Sequence, residues 1–275
     1  MKKILQMLHS GLYGLAITSM LLPVTAAAGT LNLAIQPVRS EKETMEVYRP
    51  LADYIEQVTG SKVVIQTSRD FPEYWVRQKD KNSYDIIIDN AFFTDYRIER
   101  ADWISLAKVP GLVSYTLVTT SDNPAFDANE LIGKRIASLM PPAPPGIFLD
   151  QMFKNPLRQP AIIPAVSSEQ SLQMLIDGKV DAAIVPTPLV NLAMSNGAEL
   201  FVVKTSVQIP HTAISVSPRM NEAAREKLTK AFLEADKNAR GQAVLESLGI
   251  TNFEPADPSL YSGLMQYLVD LSFAN

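Results

Sequence analysis

A chain of 275 residues with a formal charge of −4 and no cysteine excludes several classes of function. It has no basic run to hold nucleic acid or an anionic membrane surface, and it can form no disulfide, thiolate metal site or cysteine nucleophile. Of its two histidines, His9 and His211, only His211 lies in the body of the chain. A zinc site of several histidines is therefore excluded, and a Ser-His-Asp triad would have to use that one residue.

The N-terminus carries Lys2 and Lys3, an apolar stretch over residues 12–22 and then Thr25-Ala26-Ala27-Ala28. A charged start, a short apolar run and a small-residue site are the layout of a secretory signal peptide, expected over residues 1–28. The alternative, a membrane anchor, needs about 20 apolar residues, and this run is shorter. No cysteine follows the small residues, which excludes a lipoprotein anchor. The expected product is a soluble periplasmic protein beginning at Gly29, more negative than the whole chain by the loss of Lys2 and Lys3. A chain of this size can fill a core without disulfides.

Residues 30–35 read as a strand, broken by Gln36-Pro37-Val38-Arg39-Ser40. Over 44–58 the residues Met45, Tyr48, Leu51, Ala52, Ile55 and Val58 recur at helical spacing, and Gly60 supplies the stop. A strand over 62–67, a helix around 73–79, a strand over 85–88 and a helix over 91–97 follow. Right-handed crossovers make a sheet built this way parallel. Residues 114–120, rich in β-branched side chains, read as an extended strand leaving this unit.

A second unit opens with a helical turn over 127–134 and a strand over 135–139. Met140-Pro141-Pro142-Ala143-Pro144-Pro145-Gly146 comes next, then a helix over 147–153 and a strand over 161–166. Ser167-Ser168-Glu169-Gln170 is a capping-box start for a helix to residue 177. A strand over 181–185, a helix over 188–194 and a strand over 200–203 complete the unit. A β-rich crossing over 211–216 leads back, and helices over 223–239, 244–248 and 260–271 end the chain.

Two stretches nearly repeat each other. Tyr84-Asp85-Ile86-Ile87-Ile88-Asp89-Asn90 and Val180-Asp181-Ala182-Ala183-Ile184-Val185-Pro186-Thr187 are each an acid, an apolar run and a polar break after an amphipathic helix. Short apolar runs between helical patterns read as buried parallel strands. The fold class is therefore α/β, with two similar lobes joined by two crossover strands. Lobe 1 is expected over 29–116 and 214–275, with the C-terminal helices packed on it, and lobe 2 over 117–213. In open α/β sheets ligands bind beyond the carboxyl ends of the strands, so Asp89-Asn90-Ala91 and Pro186-Thr187-Pro188 are expected to face a ligand.

The chain resembles the phosphonate-binding type of periplasmic solute-binding protein. The resemblance is carried by Tyr48-Arg49-Pro50-Leu51-Ala52-Asp53-Tyr54-Ile55 with Gly60, by Tyr84-Asp85-Ile86-Ile87, and by Leu131-Ile132-Gly133-Lys134-Arg135-Ile136-Ala137. Gly178-Lys179-Val180-Asp181-Ala182-Ala183 and Ile209-Pro210 continue it. It implies the type II periplasmic binding fold: two lobes that close by a hinge on a small solute and present it to an inner-membrane ABC permease or, in some relatives, to a membrane sensor. Where phosphonate binders have a Ser/Thr-Ser-Gly run that offers hydroxyls and helix-start amides to a phosphoryl group, this chain has 141–146, four of them prolines without an amide hydrogen. There an anion could use only Ala143, Gly146 and the first helical amides. The resemblance further sets Ser168 at the start of the next helix, where a histidine is common, and Pro188 and Thr212 where carboxylates would hold a ligand amine. It sets Asp89-Asn90 where an aromatic-glycine pair is common.

From the residues themselves, Gln36, Tyr48, Thr187 and His211 join Asp89 and Asn90 as candidate ligand contacts, with Met140 beside the proline run. Gly146, Ser168 and Thr212 come from the resemblance. Each has a plainer reading: Asp89 or Asn90 as a helix cap, Tyr48 as core, His211 as a structural residue, and the prolines as a stiff connection or, with Met140 and Phe148, the wall of a dry pocket. Phe92 and Phe93, being adjacent, would send one ring to the core and one to the cleft. An exported hydrolase is disfavoured because Ser215 and Ser217, near His211, sit in a strand pattern without a nucleophile elbow. No cofactor or metal is expected, the chain is read as a monomer, and import and sensing both remain open.

Overall fold

The computed structural model describes residues 29–78 and 83–269. The expected signal peptide, Lys79 at the end of one expected helix, and the expected helical residues after 269 lie outside them. In chain order the elements are β1 (Thr30–Ile35), α1 (Glu41–Thr59), β2 (Lys62–Gln66), α2 (Phe71–Gln78), β3 (Ile86–Asp89), α3 (Ala91–Ala101), β4 (Ile104–Lys108) and β5 (Leu112–Val113). Then come β6 (Tyr115–Thr120), β7 (Arg135–Ser138), α4 (Pro144–Met152), β8 (Ala161–Pro164), α5 (Ser168–Ile176), β9 (Ala182–Pro186), α6 (Thr187–Ser195) and β10 (Leu200–Thr205). The chain closes with β11 (Ile209–Pro210), β12 (Ala213–Val216), α7 (Glu222–Leu233), α8 (Ala239–Leu248), β13 (Glu254–Pro255) and α9 (Gln266–Val269).

Two mixed sheets result. The first has the order β13-β4-β12-β3-β1-β2 and the second β10-β6-β9-β7-β8. In each, the strands joined through helices are parallel and the strand arriving from the other lobe is antiparallel: β12 against β3 and β4, and β6 against β9 and β10. Between the sheets β5 and β11 pair antiparallel, Val113 opposite Ile209, so the two passages between lobes run side by side. The boundaries expected at 116/117 and 213/214 fall inside β6 and β12, each of which belongs wholly to one sheet. The lobes part a few residues away, at the β5–β11 ribbon.

Local chemistry explains the elements. Ser40 and Glu43 form a reciprocal capping box that starts α1, and Gly60, at φ 73°, ends it in the left-handed region glycine tolerates. Leu51, Ala52 and Ile55 lie on its buried face, in one core with Leu33, Ile65 and Phe232. At α5, Ser167 Oγ accepts from Gln170 N at 3.0 Å, but Gln170 Oε1 reaches back to Val166 N at 2.7 Å rather than to the cap itself. A further cluster joins the lobes, with Phe71, Phe92 and Phe93 packed in one body with Leu139, Ile147 and Phe148.

Four expectations are corrected. β4 is a strand that the sequence reading missed. The helix expected over 223–239 breaks after Leu233: Asn238 Oδ1 accepts from Gly241 N at 2.8 Å and starts α8 afresh. Gly241 is required there, since a Cβ would lie 2.2 Å from the Ala235 carbonyl oxygen. The helix expected from 260 is instead a turn through Gly263, tied by Met265 N donating to Asp95 Oδ2 at 2.6 Å, before α9 begins. Lastly, α4 starts at Pro144 rather than at 147, because prolines fit the first turn of a helix, whose amides have no partner within it.

Among the described residues no helix is long and apolar enough to cross a membrane.

Candidate functional site

A cavity of about 360 Å³ lies between the two sheets beside the β5–β11 ribbon. Its walls come from both lobes. Lobe 1 contributes Gln36, Arg39 and Tyr48 with Val38, Leu51 and Phe71; lobe 2 contributes Ser168 and Glu169 with Leu139, Pro144, Pro145, Pro186 and Pro188. Tyr115, His211 and Thr212 line it at the passages, and Ile250 and Phe253 from beyond α8 line it too. This size suits a small molecule, and a mostly apolar lining with few polar groups is the common design of such sites.

Gln36 follows β1, so the strand aims the loop at the cavity. Its Oε1 accepts from Asn90 N at 3.1 Å and from Asn90 Nδ2 at 3.0 Å. That fixes the amide and leaves the Nε2 donors without a protein partner among the described residues. Tyr48 projects from α1 beside Arg39; burial raises its phenol, and the Arg39 charge opposes the rise only in part. The hydroxyl is therefore a neutral donor. His211 Nδ1 accepts from Thr212 N at 2.8 Å, which places the proton of the neutral ring on Nε2. Burial, and then the charge of Lys108, pull His211 down to about 4, so the ring is uncharged at neutral pH. Lys108 itself is buried against Glu254 and donates to the Val109 and Gly111 carbonyls at 3.3 and 3.2 Å, clamping the turn that enters β5.

Gln36, Tyr48, Ser168, His211 and Thr212 thus meet around one cavity. The other five candidates do not line it. Asp89 is fully buried in an ion pair with Arg97 and accepts from Tyr74 Oη at 2.7 Å, while Arg97 Nη1 donates to Gln78 Oε1 at 2.8 Å. Burial holds Arg97 down at about 10, so it remains charged at neutral pH. Asn90 caps α3, its Oδ1 accepting from Phe92 N at 3.0 Å, and reaches the cavity only through Gln36. The Thr187 hydroxyl is shared with Ser114 Oγ and Thr116 Oγ1, both at 2.8 Å. Met140 is turned outward, 38% exposed. Gly146 is buried where a Cβ would lie 2.6 Å from Pro141, so it serves close packing of the proline loop.

Of the proline loop, Pro144 and Pro145 line the cavity. Phe148 instead meets Phe92 across the lobes, centroids 5.8 Å apart, with Tyr267 stacked on Phe92 at 4.8 Å. Both Phe92 and Phe93 belong to the core, neither to the cavity. The sequence reading passed over Arg39 and Glu169. Arg39 had one available signal, its place in the loop beyond the end of a parallel strand; Glu169 looks like an ordinary acid in the first turn of a helix. Among the described residues no cluster of histidine and acidic side chains can hold a metal ion.

Two α/β lobes, a paired double passage and a cavity walled by both define a two-lobed solute-binding protein of the type II periplasmic binding fold. The chain belongs to the family of periplasmic substrate-binding proteins of ABC phosphonate transporters, whose model matches residues 33–261. Its structure is similar to a binding protein component of an ABC phosphonate transporter from Pseudomonas aeruginosa, at 17% identity and a TM-score of 0.72, covering 88% of this chain and 86% of that one. It is similar too to PhnD1 from Prochlorococcus marinus in complex with methylphosphonate, at 12% identity and a TM-score of 0.73, covering 90% and 99%. A Xanthomonas citri protein bound to ATP matches at 14% identity and a TM-score of 0.67, covering 89% and 100%. At these identities the likeness carries the fold alone. No curated protein sequence matches the chain.

Proposed function

We propose that the protein is a periplasmic solute carrier that closes lobe 1, essentially 29–116 with 214–275, and lobe 2, essentially 117–213, on a small polar or anionic solute and delivers it to an ABC importer. The observation that carries this reading is the shared cavity. A site whose walls come from two lobes joined by two adjacent passages gains contacts as the lobes approach, so the ligand favours the closed form by its differential contacts. Gln36, Tyr48, Ser168, His211 and Thr212 are its proposed contacts, with Asn90 positioning Gln36. The pocket departs from a phosphoryl site in its proline wall: Ala143 caps α4 without a side-chain bond, its N–H goes to the Met140 carbonyl at 3.0 Å, and Pro144 and Pro145 have none to give.

The test is a thermal-shift panel of small solutes followed by small-angle scattering. A solute at one hundred times its dissociation constant stabilises the fold by about 2.7 kcal/mol, and the same solute should contract the particle. A panel covering anions, cations, zwitterions and neutral solutes that gives neither shift nor contraction overturns the reading.

A further inference from the structure

The two charged groups lining the cavity are opposite in sign and stand on opposite lobes: Arg39 on lobe 1, Glu169 on lobe 2. Neither is in an ion pair among the described residues. His211 adds no charge at neutral pH, so the lining sums to zero. Three helices of lobe 2 begin at the cavity, and prolines strip two of them of the first-turn amides that would bind an anion. At α4 the first two positions are prolines. At α6, Thr187 N is held by the Ser114 carbonyl at 2.8 Å and the next residue is Pro188. At α5, Ser167 occupies the Gln170 amide, and Glu169 in the same first turn brings a negative charge that opposes an anion there.

Given that the cavity takes a small solute as proposed above, we infer that this solute is a zwitterion with an apolar body. Its carboxylate meets the Arg39 guanidinium, the Gln36 Nε2 amide and the Tyr48 hydroxyl; its apolar part lies on Pro144, Pro145 and Pro188; its cationic end faces Glu169. This arrangement leaves each charge with a partner of opposite sign. A doubly charged phosphonate would meet one cation and one repelling carboxylate.

The experiment is calorimetric titration of the protein with L-leucine and glycine betaine as zwitterions, isovalerate as the anion alone, isoamylamine as the cation alone, and methylphosphonate and phosphate. A zwitterion should bind at least ~10-fold tighter than either single-charge analogue, the effect of one lost charge-assisted contact. Arg39→Gln and Glu169→Gln should each weaken the zwitterion by a similar factor, while Glu169→Gln strengthens isovalerate. Thermal melts check that both surface variants are folded. Tighter binding of methylphosphonate than of any zwitterion, or an unchanged zwitterion affinity in Glu169→Gln, overturns the inference while leaving a solute carrier. So does an equal loss for every ligand in both variants, which would mean that Arg39 and Glu169 pair with each other on closure. Silence from both zwitterions also overturns the inference, while the carrier reading stands or falls with the wider panel of solutes above.

Discussion

The two lobes begin their third parallel strand in the same way and end it differently. Ahead of β3, Asp85 N donates to the Asn32 carbonyl at 3.0 Å and Asp85 Oδ2 accepts from Asn32 N at 2.8 Å. Ahead of β9, Asp181 N donates to the Arg135 carbonyl at 2.9 Å and Asp181 Oδ2 accepts from Arg135 N at 2.8 Å. Each aspartate clasps the neighbouring parallel strand and fixes its register. At the opposite, carboxyl ends the copies diverge. β3 runs into a buried ion pair and a helix cap, β9 into two prolines and a hydroxyl cluster. What repeats in the sequence maintains the sheets, and what differs shapes the cavity.

The largest test of this contrast compares the two strand ends. Arg97→Met strands the fully buried Asp89 carboxylate without its cation, and removing one partner of a buried pair costs about 3–5 kcal/mol. Thr187→Val, at the corresponding end in lobe 2, removes one hydroxyl from a shared cluster and should cost about 1 kcal/mol. Urea unfolding measures both, and equal losses would mean that the two ends are alike after all.

The passage between the lobes gives the next effect. His211 has its folded pKa pulled to about 4 from 6.5, so between these values the unfolded chain binds the proton that the folded one refuses. Stability is whole above pH 6.5 and falls as the pH drops toward 4. The loss is at most about 3.5 kcal/mol, for about 2.5 pKa units at ~1.4 kcal/mol each. His211→Gln should flatten that stretch of the stability profile without changing its slope above pH 7. A wild-type profile already flat from pH 7 to 4 would show that water reaches the ring freely.

The repeat was legible because its signal is local: an acid, then apolar residues, in each lobe. β4 was not, because Lys108 in its Ile-Ser-Leu-Ala-Lys run reads as solvent-facing and is buried only by meeting Glu254, far along the chain. Asp89 was placed at the right strand end but given the wrong partner. Arg97 lies two turns further along α3, and nothing in a one-dimensional pattern shows that its guanidinium turns inward. Gln36, Tyr48 and His211 line the cavity from places that the sequence marks locally, a strand end, the first helix and a crossing, whereas Ser168 and Thr212 were suggested only by the resemblance. Arg39 and Glu169 look in the sequence like ordinary charges flanking capped helices, and only the approach of the lobes puts them on one cavity.

The smallest effect is the sharpest test of the likeness itself. Asp85→Ala and Asp181→Ala each leave one strand-edge amide without its carboxylate, in part-exposed surroundings where water can take the place of the lost acceptor. Each also releases an arginine at 3.3 Å, Arg219 in lobe 1 and Arg135 in lobe 2. A hydrogen bond to a charged group contributes about 1.5–3 kcal/mol when shielded, and exposed ion pairs add ~1 kcal/mol or less, so each substitution should cost about 1–2 kcal/mol. The informative quantity is their difference, expected to be small beside either loss for clasps of the same hydrogen-bond geometry. Should Asp85→Ala cost far more, the lobe 1 clasp draws its strength from Arg219, which ties the segment after β12 back to the start of β3, and the aspartates would be similar in sequence but not in work.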